Sequence, residues 1–279
     1  IGDSVNGTGG VAYQPGATLT FGSALTLQQS SSSVGISINN SITTSGAQTY
    51  TGAVQLGADI TLTTSNSAVL FSSTIDNSSS TPRALTVSTG SGNVTLSGNV
   101  SGSGTLTIQP KTASTTVGLG ASATGTLSLN DTELGRLVDG FSSITFGSTA
   151  GTGAININYS AASFTFADPL VIRSASGNIT ATDALKTGTN ALTLTTGGNI
   201  SLAGVNSGPL SVTGAAITLN NDITTTGSQS YTGPVSLANS ITLDSGSSGA
   251  VSFSSTVNSA NSTARDLNIS TGSGDVAFT

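Results

Sequence analysis

Apolar residues in this chain come in pairs with one residue between them. The first half holds Leu25 and Leu27, Val54 and Leu56, Ile60 and Leu62, Val69 and Phe71, Leu85 and Val87, Val94 and Leu96, and Leu106 and Ile108. The second half continues with Leu127 and Leu129, Ile144 and Phe146, Ile155 and Ile157, Leu192 and Leu194, Ile200 and Leu202, Leu210 and Val212, Ile217 and Leu219, Ile241 and Leu243, and Leu267 and Ile269. A period of two predicts β-strand, with each pair facing inward and the residue between them outward. That middle residue is usually Thr, Ser or Asn. The β-branch of Thr suits an extended, half-exposed backbone.

Gly, Ser, Asn and Asp fill the gaps between successive pairs, as in STGSGNV (88–94) and TTGGNI (195–200). These residues supply positive φ and local side-chain hydrogen bonds for tight turns. Strands this short are not stable alone. Two or three per turn, at about 20–25 residues a turn, predict a parallel β-helix in which each turn pairs with the next over a narrow stacked core. At about 4.8 Å per turn, the chain would form one continuous rod over residues 1–279, of roughly 11–14 turns and 55–65 Å.

A longer period lies above this one. Residues 39–97 align with 220–279, about 181 residues on, with one inserted residue near Gly249 and roughly half the positions identical. Tyr50 matches Tyr231, Phe71 matches Phe253 and Arg83 matches Arg265. Each turn of a solenoid contacts only its neighbours, so a block of about eight turns duplicates easily. One segment breaks the pattern. In 129–147, Asn130 and Glu133 make a capping-box start, and Leu134, Leu137 and Val138 follow at helical spacing. This predicts a short helix over residues 131–138, inserted between turns and marking a possible boundary between units.

Composition narrows the chemistry. Charged residues are 6% of the chain, and Cys, His, Met and Trp are absent. No thiolate nucleophile, usual zinc site, haem ligand, disulfide or Ser-His-Asp triad can be built. A formal charge of −6 speaks against nucleic acid. No apolar run approaches the roughly 20 residues of a membrane span. No signal peptide is recognisable, and both ends read as cuts within a longer array.

The stretches ITTTGSQSYTGPVSL (223–237), TGGNISLAGV (196–205) and LNDTELGRLVDGFSSITFGSTAGTGAININ (129–158) resemble the filamentous haemagglutinin-like giant surface proteins of Gram-negative bacteria and cyanobacteria. The resemblance covers nearly the whole chain from about Ile42. It implies an all-β, right-handed parallel β-helix (β-solenoid), secreted to the cell surface and serving adhesion or assembly. The partners it implies are further repeats or copies of the same chain, packed end to end or laterally, and surface glycans. The two-partner secretion domain that begins many such proteins is not recognisable here.

Candidate sites are few. A glycosidase pair needs two carboxylates about 5–10 Å apart. Here Asp59, Asp76, Asp168, Asp183, Asp222, Asp244, Asp266 and Asp275 are scattered, and only Asp131, Glu133 and Asp139 cluster. We therefore expect no enzyme, no cofactor and no resident metal. STGSGD (270–275) is the nearest approach to a calcium-binding repeat loop, but its counterpart ends in Asn93, which favours a turn. Thr18 and Thr20, Thr61 and Thr63, Thr105 and Thr107, and Thr193 and Thr195 form the Thr-x-Thr pairs of ice-binding solenoids, at irregular spacing. Tyr50 and Tyr231 are candidate ligand-binding residues: exposed they would stack on sugars, buried they would cap the core. Phe71, Phe146, Phe164, Phe166 and Phe253 are expected in core stacks. The leading expectation is a structural or adhesive fibre segment, and the second is a carbohydrate- or ice-binding module using one outward face.

Overall fold

The computed structural model describes residues 3–7, 11–12, 18–29, 35–77, 81–159 and 164–279. These form a parallel β-solenoid of about eleven turns, with three faces visited in a fixed order. Face one is an unbroken sheet of twelve parallel strands, from Leu19–Phe21 to Val276–Phe278. Face two is a five-stranded sheet ending at Val94–Leu96, followed by an eight-stranded sheet beginning at Leu127–Leu129. Face three is a four-stranded sheet to Ile75–Asn77, the isolated bridges joining Ile75, Val100 and Leu137, and a five-stranded sheet from Leu185–Lys186 onward.

Period-two patterning produces this directly. All sixteen apolar pairs read from the sequence lie in strands. Their side chains meet in one continuous core, which includes Leu27, Ile38, Leu62, Leu119, Phe146, Ile172, Leu194 and Leu219. Burying a Val, Leu or Ile side chain stabilises by about 1.5–3 kcal/mol. A three-residue strand supplies two such side chains per face, so the stack is needed to offset the ordering of the backbone.

Turn length varies while register holds. Leu194 lies against Val212, eighteen residues on, and Ile108 lies against Phe146, thirty-eight residues on. The surplus is absorbed at the corners. There, side chains of one turn accept backbone N–H groups of another: Asp59 from Ala84 (3.0 Å), Asp222 from Thr242 (2.7 Å), Asp183 from Tyr159 (2.8 Å) and Asn178 from Asn199 (2.9 Å). The scattered acids are in large part turn-to-turn caps.

The long repeat is out of phase with the faces. Ile42–Thr44 lies on face one, whereas its counterpart Ile223–Thr225 lies on face three. Gln48–Thr51 lies on face two and its counterpart Gln229–Thr232 on face one. The offset is therefore not a whole eight turns but seven and two-thirds, so the second copy is turned by one face about the rod axis.

The longest turn carries the insert. The expected helix over 131–138 is shorter: Asp131–Leu134, with Gly135 as its C-cap. The capping box is present, with Asn130 accepting from the Glu133 N–H (3.1 Å) and Glu133 accepting from the Asn130 N–H (3.0 Å). The helix stops because the ladder reclaims the chain. Val100 donates to the Arg136 carbonyl (2.8 Å) and accepts from the Val138 N–H (3.0 Å), which returns Leu137 to the core of face three.

This insert also splits face two. Val117–Leu119 pairs with the later strand Ile155–Ile157, and Leu127–Leu129 folds back against Val117–Leu119 on its other side. Val94–Leu96 is left without a ladder partner toward the insert. Glu133 accepts the Leu96 N–H (3.2 Å), and Arg136 donates to the Leu96 carbonyl. Two charged side chains thus take the place of a missing strand. Glu133→Ala should leave the N–H groups of Leu96 and Asn130 without acceptors and cost about 1–3 kcal/mol. Hydrogen exchange should accelerate at Leu96 and Asn130 first, with the twelve-stranded face still protected.

Candidate functional site: the outer faces and the repeated tyrosines

Tyr50 and Tyr231 lie inside the core, each 0% exposed. Neither ring can be reached by a sugar from outside, which corrects the ligand-binding expectation for both residues. The reason is a polar network built from the repeated motif itself. The Tyr50 hydroxyl donates to Gln48 Oε1 (2.7 Å), and Gln48 Nε2 donates to the carbonyls of Ile42 (3.2 Å) and Thr63 (2.9 Å). Thr44 Oγ1 receives the same amide (3.3 Å) and donates to the Gly46 carbonyl (2.6 Å).

The second copy repeats these contacts. Tyr231 donates to Gln229 (2.9 Å), whose amide reaches Thr225 (3.1 Å) and the Asp244 carbonyl (2.8 Å). Gln48 and Gln229 occupy inward positions that elsewhere hold Val, Leu or Ile. An inward amide is tolerated because every polar atom finds a partner.

The tyrosines also stack. Tyr50 lies on Phe71 with ring centroids 5.0 Å apart and planes at 12°, and Tyr231 lies on Phe253 at 5.1 Å and 12°. These separations match the rise from one turn to the next. Phe278 extends the second stack at 5.0 Å. The glycine after each Tyr-Thr pair turns the corner with positive φ, +132° at Gly52 and +122° at Gly233. A Cβ there would also meet the preceding turn, at 2.8 Å from the Gln29 carbonyl oxygen and 2.0 Å from that of Gly214.

The outer surface is the other candidate. The four Thr-x-Thr pairs named above, irregular in sequence, lie on face one, whereas Thr49 and Thr51 form another such pair on face two. Thr61, Thr86, Thr107 and Thr145 fall in one register column, which passes Val171 and continues through Thr193 and Ser211. Arg173 is the only charged side chain in all twelve strands of the face. Thr145 is buried by its neighbours, so the array is not uniformly presented. Thr and Ser also occupy outward positions on face two, at Thr180, Ser201, Thr218 and Ser236.

The polar grooves are shallow. One of about 480 Å³ lies beside the insert, lined by Thr95, Ala121, Asn130, Asp131, Glu133 and Arg136. Asp131 is held by the Ala121 N–H (2.9 Å), and both Glu133 oxygens accept backbone donors. These acids are engaged in holding the backbone. Among the described residues, no group of three or more acidic side chains converges on a point that could hold a metal ion. The STGSGD loop is a turn with Gly272 at φ +57°. Among the described residues, no helix is long and apolar enough to cross a membrane.

No protein family, curated protein or solved structure matches the chain. What stands is the architecture, a β-solenoid repeat protein.

Two predictions concern the tyrosines. Tyr231→Phe should lower stability to denaturant by about 1 kcal/mol, because Gln229 Oε1 loses its donor while the apolar stack is kept. Burial holds the Tyr231 phenol well above its ordinary value, and burial, then Asp131 and Asp183, does the same for Tyr159. A raised folded value means the stabilising contribution is fully present below the unfolded value, about 10, and is lost as pH rises above it. Phenolate absorbance from Tyr231, isolated by changing the other three tyrosines to Phe, should therefore appear only together with loss of the β-sheet circular dichroism signal.

Proposed function

We propose that this chain is a structural and adhesive β-solenoid segment of a large secreted bacterial cell-surface fibre, without catalytic activity. The observation that supports this most is the unbroken twelve-stranded face over a continuous core. Such a ladder resists local opening because no strand within it can leave without breaking bonds on both sides. Its outer surface is nearly uncharged, which lets similar rods or neutral glycans approach closely. Self-association, end to end or lateral, is the partner this reading favours, with surface glycans second.

Electron microscopy of the native material tests it. Thin fibres of uniform width are expected. If the repeat continues in phase, seven and two-thirds turns correspond to about 37 Å, and the same face recurs only after three units, about 110 Å. Isolated compact particles in the native material would overturn the fibre.

A second reading, a carbohydrate- or ice-binding module, is favoured by one observation: the column of outward threonines on face one, Thr61, Thr86, Thr107 and Thr145. It is separable by experiment. The fibre reading expects no shaping of ice crystals and no retention on neutral polysaccharide through the threonines of face one. If either is seen, and is abolished by Thr63→Lys with Thr195→Lys, the module reading replaces it.

A further inference from the structure

Several acids in this rod, Asp59, Asp183 and Asp222 among them, cap the backbone of a neighbouring turn. Asp168 is different. It stands in the corner before Pro169, at the entry to Leu170–Ser174 on face one, and is only 2% exposed. Its Oδ1 accepts the Gly140 N–H at 2.9 Å, from the turn that carries the insert, and Phe141 also donates to this carboxylate. Its Oδ2 is buried and has no hydrogen-bond partner among the described residues. Asp139, exposed in the preceding turn, places its own carboxylate within hydrogen-bonding reach of Asp168. Gly140, Phe141 and Asp139 are the groups that act on Asp168, and none of them is basic.

Two adjacent carboxylates, one of them buried, cannot both stay ionised and unpaired at low cost. Something positive must offset them. We propose that Asp139 and Asp168 form a binding site for a calcium ion, which ties the insert-bearing turn to the turn that follows it.

Three features favour this occupant. The buried Oδ2, without a hydrogen bond among the described residues, is an oxygen ligand still to be satisfied. Exposed Asp139 gives an entry path from solvent. A set of two carboxylates completed by water and backbone carbonyls suits calcium, which accepts irregular oxygen shells, better than magnesium, which demands near-octahedral geometry. So small a protein contribution places the affinity in the weak extracellular class, a dissociation constant of about 0.1–1 mM. Burial, reinforced by Asp139, raises the Asp168 carboxyl above its ordinary value, while the Gly140 and Phe141 donors act in the opposite sense. The alternative to a cation is therefore a proton shared between the two acids.

The experiment uses the full chain. Equilibrium dialysis with calcium should give one ion bound per wild-type chain at about 10 mM. Thermal unfolding should rise by about 2–4 °C at that concentration, and less with magnesium. Asp139→Asn removes a carboxylate that is exposed and caps no backbone group. It should keep the wild-type circular dichroism spectrum and lose both the bound ion and the thermal shift. The proposal is overturned if wild type binds no calcium at 10 mM, or if Asp139→Asn binds as well as wild type. It is equally overturned if lowering the pH to about 5 stabilises wild type but not the variant while calcium does nothing, since the occupant is then a proton.

Discussion

Every feature of this rod depends on the parallel backbone ladder between successive turns. Each strand is only a few residues long, so its N–H and C=O groups find partners only when the turns above and below lie in register. Register in turn forces inward positions to stack on inward positions, because a slip of one residue would put an apolar row into water. The core is therefore a set of one-residue-wide columns, such as Leu85, Ile60, Leu106 and Ile144 on face one. A polar residue in such a column must bring its partners with it. The Thr44, Gln48 and Tyr50 set meets that demand within its own turn, apart from one bond to the Thr63 carbonyl in the next. A self-contained network of this kind can be copied as a block and still fit.

This explains how the duplication tolerates being out of phase. A third of a turn moves each repeated strand to a different face, yet Tyr231 and Gln229 make the same contacts on face one that Tyr50 and Gln48 make on face two. Faces one and two offer equivalent interiors to this network, which fits either. The exterior behaves differently. Thr61 and Thr63 on face one have Thr242 and Asp244 of face three as counterparts, so an array built on one face is not preserved by duplication. Selection for the interior is visible in both copies, which accords with a rod. Selection for one binding face would have favoured a whole number of turns.

Sixteen of the strands with two apolar inward residues were read because period two is a local signal, while others of the same kind, such as Ile36–Ile38 and Val235–Leu237, were not. The solenoid followed from their spacing and shortness. Gln48–Thr51 and Gln229–Thr232 escaped the pairwise pattern because one inward position is an amide, and its burial is settled by partners four and fifteen residues away. The phase of the repeat was also hidden, since it depends on turn lengths that range from eighteen to thirty-eight residues. The capping box at Asn130 and Glu133 was readable, whereas the end of the helix was not. Leu134, Leu137 and Val138 suit a helix equally well, and only the pairing of Val100 with Leu137 decides where it stops. The Tyr side chains were open to two readings because Q-[TS]-Y-T-G says nothing of which way the ring points.

The insert shows what the ladder requires when it is interrupted. Adding residues to one turn need not disturb face one, provided the chain leaves and re-enters at the same positions, and its ladder runs through unbroken. The cost falls on face two, where Val94–Leu96 and Leu127–Leu129 lie in different sheets and share no ladder. An edge left open there would carry unpaired N–H and C=O groups into a half-buried groove. A carboxylate from the short helix and a guanidinium from just beyond its C-cap supply an acceptor and a donor to the same residue, Leu96. That pairing fixes how the helix must be placed. Glu133 has to be at the third helical position to close the capping box and reach the edge at once. Arg136 follows three residues later, where the chain is already turning back toward Val100. Asp131, Glu133 and Arg136 are thus accounted for by the interruption itself, since each holds backbone that the broken ladder leaves open.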